Sequence, residues 1–259
     1  MHDRLNYRTV GDPSRPALLL VHGFLSSNAQ WLPNLDLLGK HFFMVLAELW
    51  GHGDSPVPAD NSAFTVARYV AEFEHIRSAL NLDSWGLIGQ SYAAGLAINY
   101  TLAHPQRVKG LVVTNSRSAF GDIVSARKEK AKRARIAASS LKEKQHNNRH
   151  MPIHPIYAKR LPAKVKEKLV ACADNMTEEA INKGGLIQRA LNSETLIDSV
   201  EPPFMIANGV YEKSFQVDLN RLKTRNPGLN VIDMPGGHAV NIEAADTFNE
   251  AMLGFFLDA

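Results

Sequence analysis

The sequence of 259 residues contains one cysteine, Cys172, so no disulfide can form within the chain. Nothing therefore indicates an oxidising compartment, and a cytoplasmic location is expected. No apolar run approaches the roughly 20 residues that span a bilayer. The first residues carry charges where a signal peptide would need an apolar core. We expect a soluble protein that does not enter a membrane.

Internal repeats, a glycine-rich phosphate loop and a set of histidine, cysteine and carboxylate residues at metal-ligand spacing are also missing from the sequence. We therefore expect no cofactor and no metal. No known nucleic-acid-binding module is recognisable, so a nucleic-acid partner is not expected either. The sequence gives no indication of the oligomeric state.

Net charge is small in the whole chain but uneven along it. The formal charge is +3, from 29 basic and 26 acidic residues. Residues 117–199 hold 17 of the basic residues and nine of the acidic ones, so a basic middle lies within an acidic remainder. Such a shift in composition is typical of a domain boundary. The basic segment either presents solvated helix surfaces or attracts an anionic substrate.

Short apolar runs alternate with helix-like stretches, which is the pattern of a parallel sheet covered by helices. The predicted strands are Leu5–Val10 at an edge, Ala17–Val21, Phe42–Ala47, Trp85–Ile88, Val108–Thr114, Phe204–Ala207 and Asn230–Met234. The predicted helices between and after them are Thr65–Leu80, Ala93–Ala103 and Ile242–Phe256. The fold class is therefore α/β, with about seven strands.

Residues 117–200 interrupt this alternation because they contain helical patterns and no convincing strand. The helices predicted there are Ala126–Lys144, Ala163–Ala173 and Thr177–Leu191. We therefore predict a core formed by residues 1–116 and 201–259, with residues 117–200 inserted as a helical domain. This insertion is called the cap below.

A serine stands between a predicted strand and a predicted helix, in the sequence Gly89-Gln90-Ser91-Tyr92-Ala93. A sharp turn at this point pushes the serine out of the sheet, and the residues two before and two after it must be small. Gly89 and Ala93 satisfy that requirement. Ser91 is therefore the candidate nucleophile, and the Tyr92 amide at the helix start can stabilise negative charge that develops on a bound group.

A second loop, His22-Gly23-Phe24, follows another central strand. Ligands of parallel sheets bind beyond the carboxyl ends of the strands, so this loop is expected beside Ser91. Gly23 allows the backbone to turn so that the Phe24 amide becomes a second donor to an oxyanion.

A general base is expected on the loop after the last strand, where His238 follows Gly236 and Gly237. An acid that orients this histidine should follow a neighbouring strand. Glu212 is the first carboxylate after the strand Phe204–Ala207, and Asp218 is the alternative further along the chain. The predicted catalytic residues are Ser91, His238 and Glu212.

The order Ser91, Glu212, His238 resembles that of the α/β-hydrolase fold family. The similarity extends to His22-Gly23-Phe24, to Gly51-His52-Gly53-Asp54-Ser55 and to the stretch Gly237–Glu243. It implies that the insertion is a cap and that the amides of Phe24 and Tyr92 form an oxyanion hole. The sequence departs from the family where Glu212 replaces the more common Asp and Ala93 replaces the usual Gly.

With Ser91 at the nucleophile position, the chain resembles the serine branch of that family. The haloalkane dehalogenases and epoxide hydrolases of the same fold use Asp at this position. The resemblance implies a serine hydrolase of carboxylic esters acting on a small-molecule acyl substrate, either apolar or anionic. The alternatives are a thioesterase, a hydrolase or lyase of C–C bonds, and a non-catalytic ligand receptor. The side chains expected to contact substrate are Phe24, Leu25, Trp50 and Tyr92.

Overall fold

The computed structural model describes residues 3–60, 64–121 and 148–257. Its strands are β1 (Tyr7–Val10), β2 (Ala17–Val21), β3 (Phe43–Ala47), β4 (Trp85–Gly89), β5 (Val108–Thr114), β6 (Phe204–Gly209) and β7 (Val231–Met234). They form one seven-stranded sheet in the order β1-β3-β2-β4-β5-β6-β7. Only the pairing of β1 with β3 is antiparallel; the other five pairings are parallel. The predicted α/β class with about seven mostly parallel strands is confirmed.

The central strands are apolar because both faces of the sheet are covered. Successive side chains of a strand point to opposite faces, and β2 shows this clearly. Leu19 and Val21 belong to one hydrophobic cluster, whereas Leu18 and Leu20 belong to another on the opposite face. The sheet is therefore the middle layer of three.

Helices form the two outer layers. The α-helices of the described residues are α1 (Leu35–Leu38), α2 (Val66–Ala79), α3 (Tyr92–Ala103), α4 (Arg117–Phe120), α5 (Ala163–Asn175), α6 (Glu178–Leu186), α7 (Lys213–Arg225), α8 (Val240–Glu243) and α9 (Ala245–Leu257). Short 3-10 helices cover Asn28–Asn34, Pro105–Arg107, Asn148–His150, Pro155–Tyr157 and Leu196–Ser199. Within these ranges no helix has the length and hydropathy needed to cross a membrane.

The cap contributes α4, α5 and α6, and its described residues contain no strand. The predicted helix Ala126–Lys144 lies outside the described residues. The helix predicted over Thr177–Leu191 ends earlier, at Leu186. The chain turns there because Leu191 packs against Gly95 of α3, where an added Cβ would lie 2.4 Å from the Leu191 carbonyl oxygen.

The predicted C-terminal helix, Ile242–Phe256, is two helices in the structure. Ala244 separates α8 from α9 with φ −130° and ψ 50°, which are not helical angles. This break makes α8 a short helix that immediately follows the His238 loop. It also allows α9 to pack along the sheet face that contains Leu18.

Buried amide side chains connect α8 to the 3-10 helix Asn28–Asn34. Asn241 donates to the Gln30 carbonyl oxygen at 2.8 Å and to Asn34 Oδ1 at 3.0 Å. Its own Oδ1 accepts from Gln30 Nε2 at 2.8 Å. Asn34 also donates to Asn249 Oδ1 of α9 at 2.7 Å. Because buried polar groups are costly when unpaired, this cluster fixes the position of the chain next to His238.

The Asn241 cluster generates a stability prediction. Asn241→Ala leaves the amides of Gln30 and Asn34 without their partner, so we expect the free energy of unfolding to fall by about 2–4 kcal/mol in urea denaturation. Asn220→Ala is the control because Asn220 is exposed on α7, and its effect should stay within about 0.5 kcal/mol. Equal effects of the two substitutions would contradict the importance of the cluster.

Candidate active site

Ser91 lies at a strained turn between β4 and α3. Its backbone has φ +52° and ψ −110°, a conformation that residues other than glycine seldom adopt. Gly89 makes the turn possible, since a Cβ there would lie 2.7 Å from the Ala93 carbonyl oxygen. The Ser91 amide donates to Thr114 Oγ1 at 3.2 Å, and the Ser91 carbonyl accepts from Ser116 Oγ at 2.6 Å. The end of β5 thus holds the turn.

The loop after β2 comes close to Ser91, as predicted. A Cβ on Gly23 would lie 3.3 Å from the Ser91 Cβ and 2.0 Å from Gln90 Oε1. Only glycine permits this approach of the two loops. Tyr92 begins α3, and Ser91 makes no side-chain cap hydrogen bond to that helix. The first amides of a helix have no acceptor within it, and the role of the Tyr92 amide as an oxyanion donor stays a prediction.

His52 supports the chain beside this loop, a role that the sequence analysis did not assign. Its Nε2 accepts from the Leu25 amide at 3.2 Å, and its Nδ1 lies 3.0 Å from the Trp50 carbonyl oxygen. The ring of His22 packs 5.2 Å away. Burial lowers the pKa of His22 to about 4, and burial followed by the charge of His22 lowers the pKa of His52 to about 3. Both rings are neutral near pH 7, so His52 Nδ1 donates while Nε2 accepts.

His238 and Glu212 form a hydrogen-bonded pair, with 2.9 Å between His238 Nδ1 and Glu212 Oε2. Their loops are joined by a backbone hydrogen bond, in which the Tyr211 amide donates to the Gly236 carbonyl at 2.9 Å. A Cβ on Gly209 would lie 2.0 Å from the Gly237 carbonyl oxygen. The structure therefore brings Glu212 to His238 through a close approach of the chain after β6 to the chain after β7.

The His238 loop also contacts the turn that carries Ser91. Gln90 Nε2 donates to the His238 carbonyl oxygen at 3.2 Å. Gln90 is in turn held by β2, because its backbone N–H donates to the Val21 carbonyl oxygen at 3.0 Å. The predicted nucleophile, base and acid therefore lie at one edge of the sheet, beyond the carboxyl ends of the strands.

Asp218, the alternative acid, lies elsewhere. It is a buried residue of α7 whose Oδ1 is 3.0 Å from Arg221 Nη1 and whose Oδ2 is 3.5 Å from Arg117 Nε. The pair with Arg117 connects α7 to α4, whereas Arg221 lies on α7 itself. His238 is thus paired with Glu212, whereas Asp218 forms an ion pair with Arg117 of another helix.

Opposing influences act on the protonation of His238. The His238 side chain is 46% exposed, and its partial burial disfavours the charged ring, but the hydrogen bond with Glu212 and the charges of Glu212 and Glu243 outweigh this and raise the pKa of His238. A raised pKa makes the imidazole a stronger base, so the ring keeps its proton up to a higher pH than an ordinary histidine does. The negative charge near His238 thus comes from two carboxylates rather than one.

The aromatic side chains near Ser91 are covered by the cap. The Phe24 ring lies 5.4 Å from the Tyr92 ring, centroid to centroid. Tyr92 Oη donates to the Gly184 carbonyl of α6 at 2.8 Å. Burial raises the pKa of Tyr92, so its phenol stays protonated. Gly184 lies so close to Phe24 that an added Cβ would be 2.6 Å from the ring.

Two predicted substrate-contacting residues have packing positions. Trp50 is 0% exposed, its ring packs 4.5 Å from that of Tyr69, and its Nε1 donates to the Asp3 carbonyl. Leu25 is 2% exposed and belongs to a small cluster with residues of α5 and α6, including Ala173. Contact of these two side chains with substrate stays a prediction.

Comparison with known proteins assigns the family. Residues 16–149, more than half of the chain, match the family described as having the alpha/beta hydrolase fold. The chain belongs to the α/β-hydrolase family. Membership agrees with the strand order, the turn at Ser91 and the position of His238 after the last strand of this α/β hydrolase.

Individual relatives of this α/β hydrolase include esterases. The Bacillus subtilis carboxylesterase YbfK is 24% identical over 252 residues, covering 95% of this chain and 81% of the relative. An Arabidopsis thaliana 1-acylglycerol-3-phosphate O-acyltransferase is 32% identical over 104 residues, and the matched stretch spans only 25% of the plant protein. A carboxylesterase structure from Nitrososphaera gargenis superposes with a TM-score of 0.79 at 18% identity, covering 98% of this chain and 94% of the other. The chain is thus an α/β hydrolase with esterase-like relatives.

In the described ranges, no group of three or more histidine, cysteine, aspartate or glutamate side chains is arranged to hold a metal ion. Cys172 is a free, partly buried cysteine of α5.

The His238–Glu212 pair generates a titration prediction. Glu212→Gln removes the charged acceptor that helps to raise the pKa of His238, so that pKa should fall, as measured by NMR titration of the His238 ring. Asp218→Asn is the matched control, and it should leave the His238 titration unchanged. A shift with Asp218→Asn and none with Glu212→Gln would reverse the assignment of the acid.

Adjacent glycines of α6 provide a second prediction. Gly184→Ala forces the Phe24 ring or α6 to move, so we expect the free energy of unfolding to fall by about 1–2 kcal/mol. Gly185 has no neighbouring atom within 4 Å of an added Cβ, so Gly185→Ala should raise stability by up to about 1 kcal/mol through helix propensity. Urea unfolding of the two variants measures both effects, and a destabilising Gly185→Ala would contradict this account.

Proposed function

We propose that this protein is a serine hydrolase of carboxylic esters that acts through Ser91, His238 and Glu212. The observation that carries the proposal is the position of Ser91 on a strained turn at the same sheet edge as the 2.9 Å His238–Glu212 pair. The carboxylesterase relatives support an ester as the substrate.

Acylation begins with proton transfer from Ser91 Oγ to His238 Nε2, as Oγ forms a bond to the substrate carbonyl carbon. The carbonyl π electrons move to oxygen, and the amides of Phe24 and Tyr92 stabilise that oxyanion. When the oxyanion collapses, the bond to the alcohol oxygen breaks and His238 donates its proton to the leaving alcohol. Glu212 stays ionised and stabilises the imidazolium throughout.

Deacylation repeats these steps with water in place of Ser91. His238 accepts a proton from water, whose oxygen attacks the acyl carbon, and the Ser91 oxygen then leaves and recovers the proton. The products are a carboxylic acid, ionised at neutral pH, and an alcohol. The half-buried Phe24 ring beside Ser91 favours an apolar acyl group.

The basic cap leaves an anionic acyl substrate as the second possibility. Arg160 is a cap arginine beside the loop that carries Glu212, with its guanidinium 4.9 Å from the Tyr211 ring centroid. A steep fall of kcat/KM with salt for an anionic ester, without a similar fall for a neutral ester, would favour the anionic class. A parallel response of both esters would favour the apolar class.

The central prediction concerns the nucleophile. Ser91→Ala should reduce kcat on p-nitrophenyl esters by about 10³- to 10⁶-fold and abolish labelling by a fluorophosphonate probe. Ser14→Ala is the control, since Ser14 is exposed on the loop between β1 and β2, and it should retain full activity and labelling. Full activity of Ser91→Ala would exclude this mechanism.

The same assay separates the alternative functions. A panel of p-nitrophenyl esters, acyl-CoA thioesters and oxo-dienoates distinguishes an esterase from a thioesterase and from a C–C hydrolase or lyase. Turnover of oxo-dienoates by Ser91→Ala would indicate that His238 acts as a base without an acyl-enzyme. Binding without turnover across the whole panel would favour a ligand receptor.

A further inference from the structure

Glu243 is a buried carboxylate next to the His238 loop, and the mechanism above does not use it. It ends α8, and its side chain is 9% exposed. Its Oε2 accepts a hydrogen bond from the Gly237 amide at 2.9 Å. A Cβ on Gly237 would lie only 3.0 and 3.1 Å from the two carboxylate oxygens. The carboxylate therefore packs directly against the residue that precedes His238.

Arg160 connects the cap to this carboxylate. Its Nη1 is 3.6 Å from Glu243 Oε2, and its guanidinium packs over the ring of Tyr211. Tyr211 precedes Glu212, and its amide is bonded to the His238 loop at Gly236. Arg160 thus contacts both Glu243, which holds the His238 loop, and Tyr211, which precedes Glu212.

The charges around His238 come from three elements among the described residues. Glu212 faces the ring from the loop after β6, and Glu243 acts on it from α8. The cap supplies Arg160, which is 57% exposed and is paired with Glu243. A positive charge beside Glu243 offsets the field of that carboxylate at His238.

We propose that Glu243 is a positioning residue that holds the His238 loop and lends it negative charge, and that Arg160 of the cap controls how much of that charge His238 experiences. The inference rests on the proposed function in treating His238 as the general base. It follows that a ligand or a cap movement that separates Arg160 from Glu243 makes His238 more basic. The cap thereby acts on the base without touching it.

The test compares the acid limb of the pH profile of kcat/KM, which reports the base in the free enzyme. Glu243→Gln keeps an oxygen acceptor for the Gly237 amide but removes the charge, so the acid limb should move to lower pH with a plateau loss below about 10-fold. Glu243→Ala also removes the acceptor, and the plateau should fall roughly 10- to 100-fold through misplacement of His238. A purely structural role would lower the plateau without moving the acid limb.

Arg160 variants test the contribution of the cap. Arg160→Gln should move the acid limb to higher pH, whereas Arg160→Lys should leave it near that of the unmodified protein. In a Glu243→Gln background, Arg160 lacks the ion pair that holds it beside the His238 loop, so Arg160→Gln should move the acid limb less than it does in the unmodified protein. A full shift in that background would overturn the proposed route.

Arg149→Gln is the matched control for cap charge. Arg149 is an exposed cap arginine whose ion pair is with Asp174 of α5, so its removal changes the cap charge equally without touching the His238 loop. Its acid limb should coincide with that of the unmodified protein. A shift as large as that of Arg160→Gln would show that net cap charge, not the Arg160–Glu243 pair, acts on His238.

NMR titration of the His238 ring separates this inference from the proposed function, because it requires no turnover. The midpoint should fall with Glu243→Gln and rise with Arg160→Gln in the full chain. These shifts in a protein that hydrolyses no ester would retain the inference and reject the proposed function. Ester hydrolysis with unchanged midpoints in both variants would do the opposite.

Discussion

The close approach of two backbone segments underlies the rest of the site. The chain after β6 and the chain after β7 meet where the Gly237 carbonyl oxygen would lie 2.0 Å from a Cβ on Gly209, so no side chain fits at Gly209. Asn115 at the end of β5 secures Gly209 from the other side, accepting from its amide at 2.8 Å and donating to its carbonyl at 2.9 Å. Because parallel strands end at one edge, this clamp transmits the sheet register to Glu212 and His238. Their 2.9 Å contact is therefore a consequence of backbone packing rather than of side-chain flexibility.

Buried polar groups with complete hydrogen bonding give the site its rigidity. His52 holds the Leu25 amide, and the Asn241 cluster holds the chain beyond His238. A buried polar group that loses its partner costs more free energy than the bond contributes when formed. Such groups therefore fix a single arrangement of the loops that carry Phe24 and His238, the proposed oxyanion donor and base. Preorganised donors of this kind do not need to reorganise when charge develops.

Much of the fold could be predicted because its signals are local. The strands Ala17–Val21 and Val108–Thr114 have the predicted bounds, since short apolar runs bounded by polar or turn residues are typical of strands buried on both faces. The pairing of Glu212 with His238 could be predicted because Glu212 is the first carboxylate after the strand that precedes it. The helix predicted to extend to Leu191 ends at Leu186, so that prediction was wrong. Leu191 packs on Gly95, a residue distant in sequence, and no local pattern indicates this contact.

The supporting residues of the site were not predictable in the same way. His52 and Glu243 lie in motifs that resemble those of the family, but their partners are the backbone amides of Leu25 and Gly237. Every residue except proline carries such an amide. No residue pattern indicates which amide a buried side chain will meet, because the fold brings the two together. Trp50 is buried, because an aromatic side chain packs in a core as readily as it lines a substrate site, and its contact with substrate stays a prediction.

The cap is attached to the core unevenly, and this decides where it can influence the site. On α6, Lys183 is buried and donates to the Pro58 carbonyl at 2.6 Å, while Gly51 of the core lies too close to Ala180 to accept a side chain. Moving α6 would break these contacts. Arg160 instead has a half-exposed side chain and an ion pair at 3.6 Å, longer than a hydrogen bond. An ion pair at this distance with an exposed arginine is weak, so Arg160 can change partners while α6 keeps its contacts with the core. Among the described cap residues, Arg160 can thus respond to a ligand beside the His238 loop at a low cost in packing.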